Sequence, residues 1–308
     1  MPVKNRESQA QGLLELPRVE VRSRVLAGWD AFLTSAEAAD LGQKSRLPGW
    51  RGHEICVHLG SWEGHRAMAG LIESARGAGP TKPVDVDEAN AAVTARYRDA
   101  SRDDVLSALR RNRDEVADYL SGDSDDNAKL DRSDVVATVG TLPLLTVAHA
   151  TLYELAVHAL DLVSCGSRPP SDELMLSGIS ALADVTGALA ATLNITGGAV
   201  LSTPKGGWYF AADQGGWTTT PTEPGETKGR TPVVEADLVT LLDASAGRQN
   251  PVSLLPRRKL KVHHMSGLMR LAPIVESAPG IPGGPVLRLA ARTVGSAGGV
   301  VGKLTGRG

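Results

Sequence analysis

The chain has 308 residues, 42% of them hydrophobic, and 33 basic against 35 acidic side chains give a formal net charge of −2. That is enough apolar material for one large core or two ordinary ones, and it excludes both a globally basic nucleic-acid coat and a disordered acidic polymer. The charge is unevenly spread: residues 1–170 hold 20 Lys/Arg against 25 Asp/Glu, whereas from Arg248 onward ten basic residues accompany one acid, Glu276.

Residues 14–42 carry Val21, Val25, Trp29, Phe32 and Leu33 at helical spacing, which predicts one long amphipathic helix after Pro17. SRLPGW (45–50) is a turn signal, and Arg51 to about Ala75 reads as a second helix, broken by GAGPTKP. Asp87 is placed to cap a helix through Tyr97, and Ser101 with Asp104 opens another to Leu120. SGDSDDNAKLDRSD (121–134) reads as a solvated acidic loop, followed by an apolar helix from about Leu142 to Ser164. Antiparallel helices of this kind predict an up-and-down bundle over residues 1–170.

SRPPS (167–171) reads as a linker, and Asp172 starts a helix to about Leu193. The periodicity then changes. GAVLST, GWYFAAD, GWTTTP and TPVVEA are short, β-branched or aromatic, and separated by Gly/Pro turns. A helix over 236–246, a strand KLKVHH (259–264) and a helix from about Ser266 to Glu276 complete a small α+β domain, 171–278, with its sheet covered on one face. Residues 279–308 are Gly-rich and basic, so a disordered tail is expected there; its Arg and Lys among apolar residues would suit contact with an anionic surface. The only two cysteines, Cys56 and Cys165, make no disulfide framework. With no signal peptide and no apolar run near the ~20 residues of a membrane helix, a cytoplasmic chain without a transmembrane segment is expected.

Two helices hold the residues able to do chemistry. At about 100° per residue, His58 shares a face with Trp62 and His65, whereas His53 and Cys56 point elsewhere. Glu154, His158 and Asp161 form an i, i+4, i+7 stripe on an otherwise apolar helix, and His149 falls on another face, read as polar surface. One His and an E-x-x-x-H pair on facing helices supply two imidazoles and a carboxylate, ligands of the types zinc accepts, with an open position left over. Asp161 would then orient an imidazole through its free N–H. The plainer reading is a helical salt bridge and a satisfied core histidine, and the residues alone leave the two readings about level.

LPGW followed eight positions later by His, in LPGWRGHEICVHLG, resembles the signature opening the second helix of the DinB-like bundle family; YELAVHALDL resembles its fourth-helix signature. The closer resemblance is to the mycothiol-dependent maleylpyruvate isomerase branch, in which a metal-binding bundle precedes a domain similar to sterol carrier protein 2. AGRQNPVSLLPRRKLKV resembles the Gly-Arg helix end and following strand of that second domain. The resemblance spans roughly residues 15–278. It implies His58, Glu154 and His158 as ligands, usually to Zn²⁺, and a low-molecular-weight thiol, mycothiol, held as thiolate for isomerase or S-transferase chemistry on a small electrophile. It also implies Arg248 as a substrate-carboxylate group, with His65 and Trp62 lining the cavity. A non-enzymatic lipid or small-ligand carrier using the α+β domain is the alternative reading; no nucleic-acid partner is expected.

Overall fold

The computed structural model describes residues 10–277, apart from 66, 79–84, 123, 138 and 215. A 3₁₀ turn, Gly12–Glu15, leads through Pro17 into α1 (Arg18–Ala38), which buries Val21, Val25, Trp29 and Phe32 as one stripe. Then come α2 (Gly52–Leu59), α3 (Ala67–Ala75), α4 (Val86–Arg96) and α5 (Arg102–Ser121). α4 is capped by Asp85, which accepts from the Glu88 N–H at 3.0 Å, so the cap lies two residues before the expected Asp87. Ser101 and Asp104 do form a reciprocal capping box on α5.

The expected solvated loop over 121–134 is instead ordered. It contains α6 (Asp125–Asp131) and leads into an antiparallel hairpin, β1 (Asp134–Ala137) and β2 (Gly140–Pro143). One of its acids explains the difference: Asp131 is buried, pairs with Arg18 and accepts from the Tyr119 hydroxyl at 2.6 Å. α7 (Leu144–Leu162) follows and packs on α1, α2 and α8 (Asp172–Thr192); α5 packs on both α1 and α2. Burial on nearly every side is why α7 is apolar all round.

β3 (Gly197–Thr203), β4 (Gly206–Asp213), β5 (Gly216–Thr222), β6 (Val233–Ala236) and β7 (Leu260–His263) form a sheet of order β5-β4-β3-β6-β7, parallel only between β3 and β6. α9 (Leu238–Ser245) and α10 (Pro251–Leu254) connect β6 to β7, and α11 (Met265–Leu268), a 3₁₀ turn and α12 (Ala272–Ser277) end the described chain. The expected tail 279–308 lies outside the described residues. A helical first part and a sheet-containing second part are therefore present. They share one continuous core from Leu13 to Ile274, because α8 packs on α7 with one side and on β4 and β5 with the other. α8 bears on the hydropathy reading. It is long and apolar enough to cross a membrane by length and composition, yet it is almost wholly buried between α7 and the sheet.

His149, expected at the surface, is 2% exposed, and neither ring nitrogen has a hydrogen-bond partner among the described residues. Burial pushes its pKa down to about 3, so the folded protein keeps the ring neutral in acid that protonates the unfolded chain. The stability tied to this neutral ring is present above pH 6.5 and lost as pH falls. The loss reaches about 2 kcal/mol at pH 5. His149→Leu is expected to raise the melting temperature at pH 7, by removing an orphaned N–H donor and an orphaned ring-nitrogen acceptor worth about 1–3 kcal/mol. The gain should widen at pH 5, as thermal unfolding at both pH values will show; a variant that melts lower at pH 5 contradicts the account.

Candidate metal centre

α2 brings His58 to the site and then stops. The helix ends at Leu59 because side chains take its last carbonyls: the Trp62 indole N–H donates to Val57 O at 2.9 Å and the Asn112 amide donates to Leu59 O at 2.8 Å. A side chain at Gly60 would stand 2.7 Å from Trp62 Nε1 and 2.9 Å from Ala108 Cβ. At the other end, the Glu54 carboxylate accepts from the Arg51 backbone N–H at 2.8 Å and so serves the helix start. The loop before α2 is tied to the end of α7, with Asp40 N donating to Cys165 O at 2.8 Å. These fastenings hold His58 opposite α7.

On α7, Glu154 and His158 stand one turn apart. One ligand atom from each of His58, Glu154 and His158 lies within 4.8 Å of the others. His158 Nε2 and Glu154 Oε2 are 3.4 Å apart, and the rings of His58 and His158 meet edge to face at 5.5 Å. Burial, with His158 nearby, pushes the His58 pKa down to about 4, so this ring is neutral and offers a lone pair. Burial alone would raise Glu154, but hydrogen bonding to His158 holds it below the ordinary carboxylate range. The other nitrogen of His158, Nδ1, donates to Asp161 Oδ2 at 3.0 Å, which leaves Nε2 to face Glu154. Burial would lower the His158 pKa, but its hydrogen bonds to Asp161 and Glu154 raise it, so Nε2 turns a proton toward Glu154 in the place a metal ion would take. Asp161 is thus an outer partner of the His158 ring, and the Asn90 side chain hydrogen-bonds His58.

Asp161 has no exposed surface, and two guanidiniums meet it. Arg248 donates through Nη2 to Oδ2 at 2.9 Å and through Nε to Oδ1 at 3.3 Å; Arg46 donates to Oδ1 at 3.1 Å. Burial would raise this carboxyl, but the hydrogen bonds from His158 and Arg248 bring it down to about 2. Arg46 also grips Asp243 through two donors at 3.0 Å, and Gln249 donates to the same carboxylate at 2.9 Å.

The structure therefore brings together His58, Glu154, His158, Asp161 and Arg248 from the sequence-predicted set. The helical-wheel placement of Trp62 and His65 does not survive, because α2 ends before either residue. Trp62 is buried, stacked on Tyr97 with ring centroids 4.2 Å apart, and it closes a backbone bridge with His65. Sequence reasoning missed four neighbours. Trp50 lies edge-on to His58 at 5.7 Å, Asn90 bonds that ring, and Arg46 and Asp243 build the pair network. Trp50 and Arg46 lie inside SRLPGW, a stretch whose turn signal masked them; Asn90 and Asp243 carried no local signal.

The mycothiol maleylpyruvate isomerase N-terminal domain family matches residues 23–163. Two solved structures titled as mycothiol-dependent maleylpyruvate isomerase, one of them a mutant, are similar at 19% identity with a TM-score of 0.50, over 82% of this chain and 95% of theirs. No curated protein matches the chain.

If Asp161 fixes the His158 tautomer, Asp161→Asn should weaken divalent-metal affinity about 10- to 100-fold while the circular dichroism spectrum stays unchanged. Competition against a chromogenic zinc chelator measures this, and an unaltered affinity would rule out the orienting role.

Proposed function

Residues 23–163 belong to the mycothiol maleylpyruvate isomerase N-terminal domain family, and on that premise we propose that this chain is a metal- and thiol-dependent isomerase or S-transferase acting on a small electrophile. The observation that carries the reading is the convergence of His58, Glu154 and His158 within 4.8 Å. Bound there, Zn²⁺ would supply an open coordination position and lower the pKa of an incoming thiol so that the thiolate forms.

The protein's own residues do the rest. His58 is kept neutral by burial and His158 is turned by Asp161, so a metal that displaces the Nε2 proton of His158 would meet a lone pair from each ring. Glu154 contributes the single negative charge of the ligand set. Arg248 uses Nε and Nη2 on Asp161 and Nη1 on Ala246 O, which leaves further N–H groups of its five donors for a substrate carboxylate. The similar structures name mycothiol, and mycothiol is the thiol we assign. In the same reading α1, α2, α5 and α7 are the DinB-like up-and-down bundle within residues 1–170. Residues 171–278 are then a sterol-carrier-protein-2-like part, and the enzyme works in the cytoplasm.

Purified protein is expected to carry stoichiometric divalent metal by mass spectrometry, and to turn over maleylpyruvate or an activated alkene only with mycothiol present. His58→Ala should lose the metal and reduce that turnover roughly a hundredfold or more. Absence of metal from the wild type, or turnover indifferent to the thiol, sinks the proposal.

A further inference from the structure

Away from the metal centre, one face of the five-stranded sheet is turned from α8. Along β4 the side chains alternate: Trp208, Phe210 and Ala212 enter the core, so Tyr209, Ala211 and Asp213 point to the opposite face. Register places Gly198 and Val200 of β3 beside Ala211 and Tyr209 on that face. Where β3 begins and β4 ends, the face opens into a cavity of about 930 Å³. Its volume falls within the ordinary range of small-molecule sites.

The lining has a definite chemistry. Gly198, Ala211 and Tyr209 make a low floor with one aromatic ring. A side chain at Gly198 would meet Phe210 O at 2.2 Å, so the floor stays flat there. Arg230 and Arg270 reach the same cavity from separate segments, and neither has a hydrogen bond or ion pair among the described residues. Elsewhere Arg46, Arg110, Arg113 and Arg248 each hold a carboxylate. The acid of the cavity, Asp213, accepts from Thr196 Oγ1 at 3.1 Å. His264 lines the cavity in a left-handed backbone conformation, φ +54, which non-glycine residues seldom adopt.

We propose that this cavity is a second ligand site, separate from the metal centre, for a small molecule carrying a carboxylate or phosphate on a short planar body. Arg230 and Arg270 converge on the oxyanion through their unused donors. The Tyr209 ring and the flat Gly198–Ala211 strip take the planar body, and Asp213 accepts from a hydroxyl or amine beside it.

Fluorescence titration of the full-length chain with 1-naphthyl phosphate tests this directly. Saturable binding is expected, weakened about tenfold or more by Arg230→Ala and by Arg270→Ala, the ratio that follows from losing one charge-assisted hydrogen bond. Both arginines are exposed, so the variants should melt as the wild type does. His58→Ala should leave the binding intact, which separates this site from the metal centre. Neutral 1-naphthol should bind far more weakly and ignore both arginine substitutions. The proposal is overturned if naphthyl phosphate fails to saturate, if binding survives loss of both arginines, or if His58→Ala abolishes it. It is equally overturned if the arginines matter only for sedimentation with phosphatidylglycerol vesicles, which would make the ligand a membrane headgroup.

Discussion

A fully buried carboxylate in the last turn of an apolar helix is the constraint around which the molecule is arranged. Asp161 sits near the negative end of the α7 dipole, and removing it from water costs several kcal/mol unless it is paired. The chain meets that cost with three cationic or donor partners. His158 comes from the same helix, Arg46 lies 115 residues away in sequence and Arg248 lies 87 away. Each partner brings its own segment to the end of α7, so pairing one charge also assembles the site. His158 then presents Nε2 to Glu154 because its other nitrogen is already committed.

α8 makes such convergence possible by being buried on both sides. Small residues let it approach closely: a Cβ at Gly178 would lie 2.6 Å from Ala156 Cβ, and one at Gly187 would lie 2.8 Å from Trp217 Cδ1. Between these contacts Asp184, also without exposed surface, accepts from the Trp217 indole, the Thr219 hydroxyl and the Leu13 backbone N–H. The turn before α1, the long helix and the second half's sheet are thus fastened at one carboxylate. The sheet part is held at a fixed place against the helices, which is what allows Arg248 to reach Asp161.

The sequence was legible where a local rule and the tertiary structure agree. Apolar pattern finds α1 and α7, start signals at Ser101 and Asp172 find α5 and α8, and β-branched runs between Gly/Pro turns find β3 to β6, because in each case the local signal agrees with what the element buries or caps. The stripe Glu154–His158–Asp161 was visible because charged groups on an apolar helix stand out. What failed depended on distant partners. Nothing near Leu59 in the sequence says that Asn112 and Trp62 will take the last carbonyls of α2, so the pattern carries one helix through to Ala75 with Trp62 and His65 on it. Asp131 looked like one more solvated acid until Arg18 and Tyr119 closed over it. His149 falls outside the pattern's reach because a helical wheel assumes one broad wet side, and α7 has only a narrow half-buried strip along Val147, Ala150, Thr151 and Glu154.

The second half of the chain reaches the candidate metal centre through the turn after α9. After α9, Gly247 takes φ +73, and the backbone N–H groups of Arg248 and Gln249 both donate to Asp243 O, at 2.8 and 3.2 Å. The Asp243 carboxylate, fastened by Gln249, is also the second anchor of Arg46. Arg46 therefore bridges two buried carboxylates, one from each part of the fold, and Arg248 leaves the same turn to grip the first of them. With the sheet part displaced, Asp161 would keep Arg46 and His158 but lose its bidentate partner, and Arg46 would lose Asp243. The orientation of His158, and with it the geometry of the candidate metal site, is in this sense a property of how the two parts dock. The far face of the sheet, with Arg230 and Arg270, takes no part in that network.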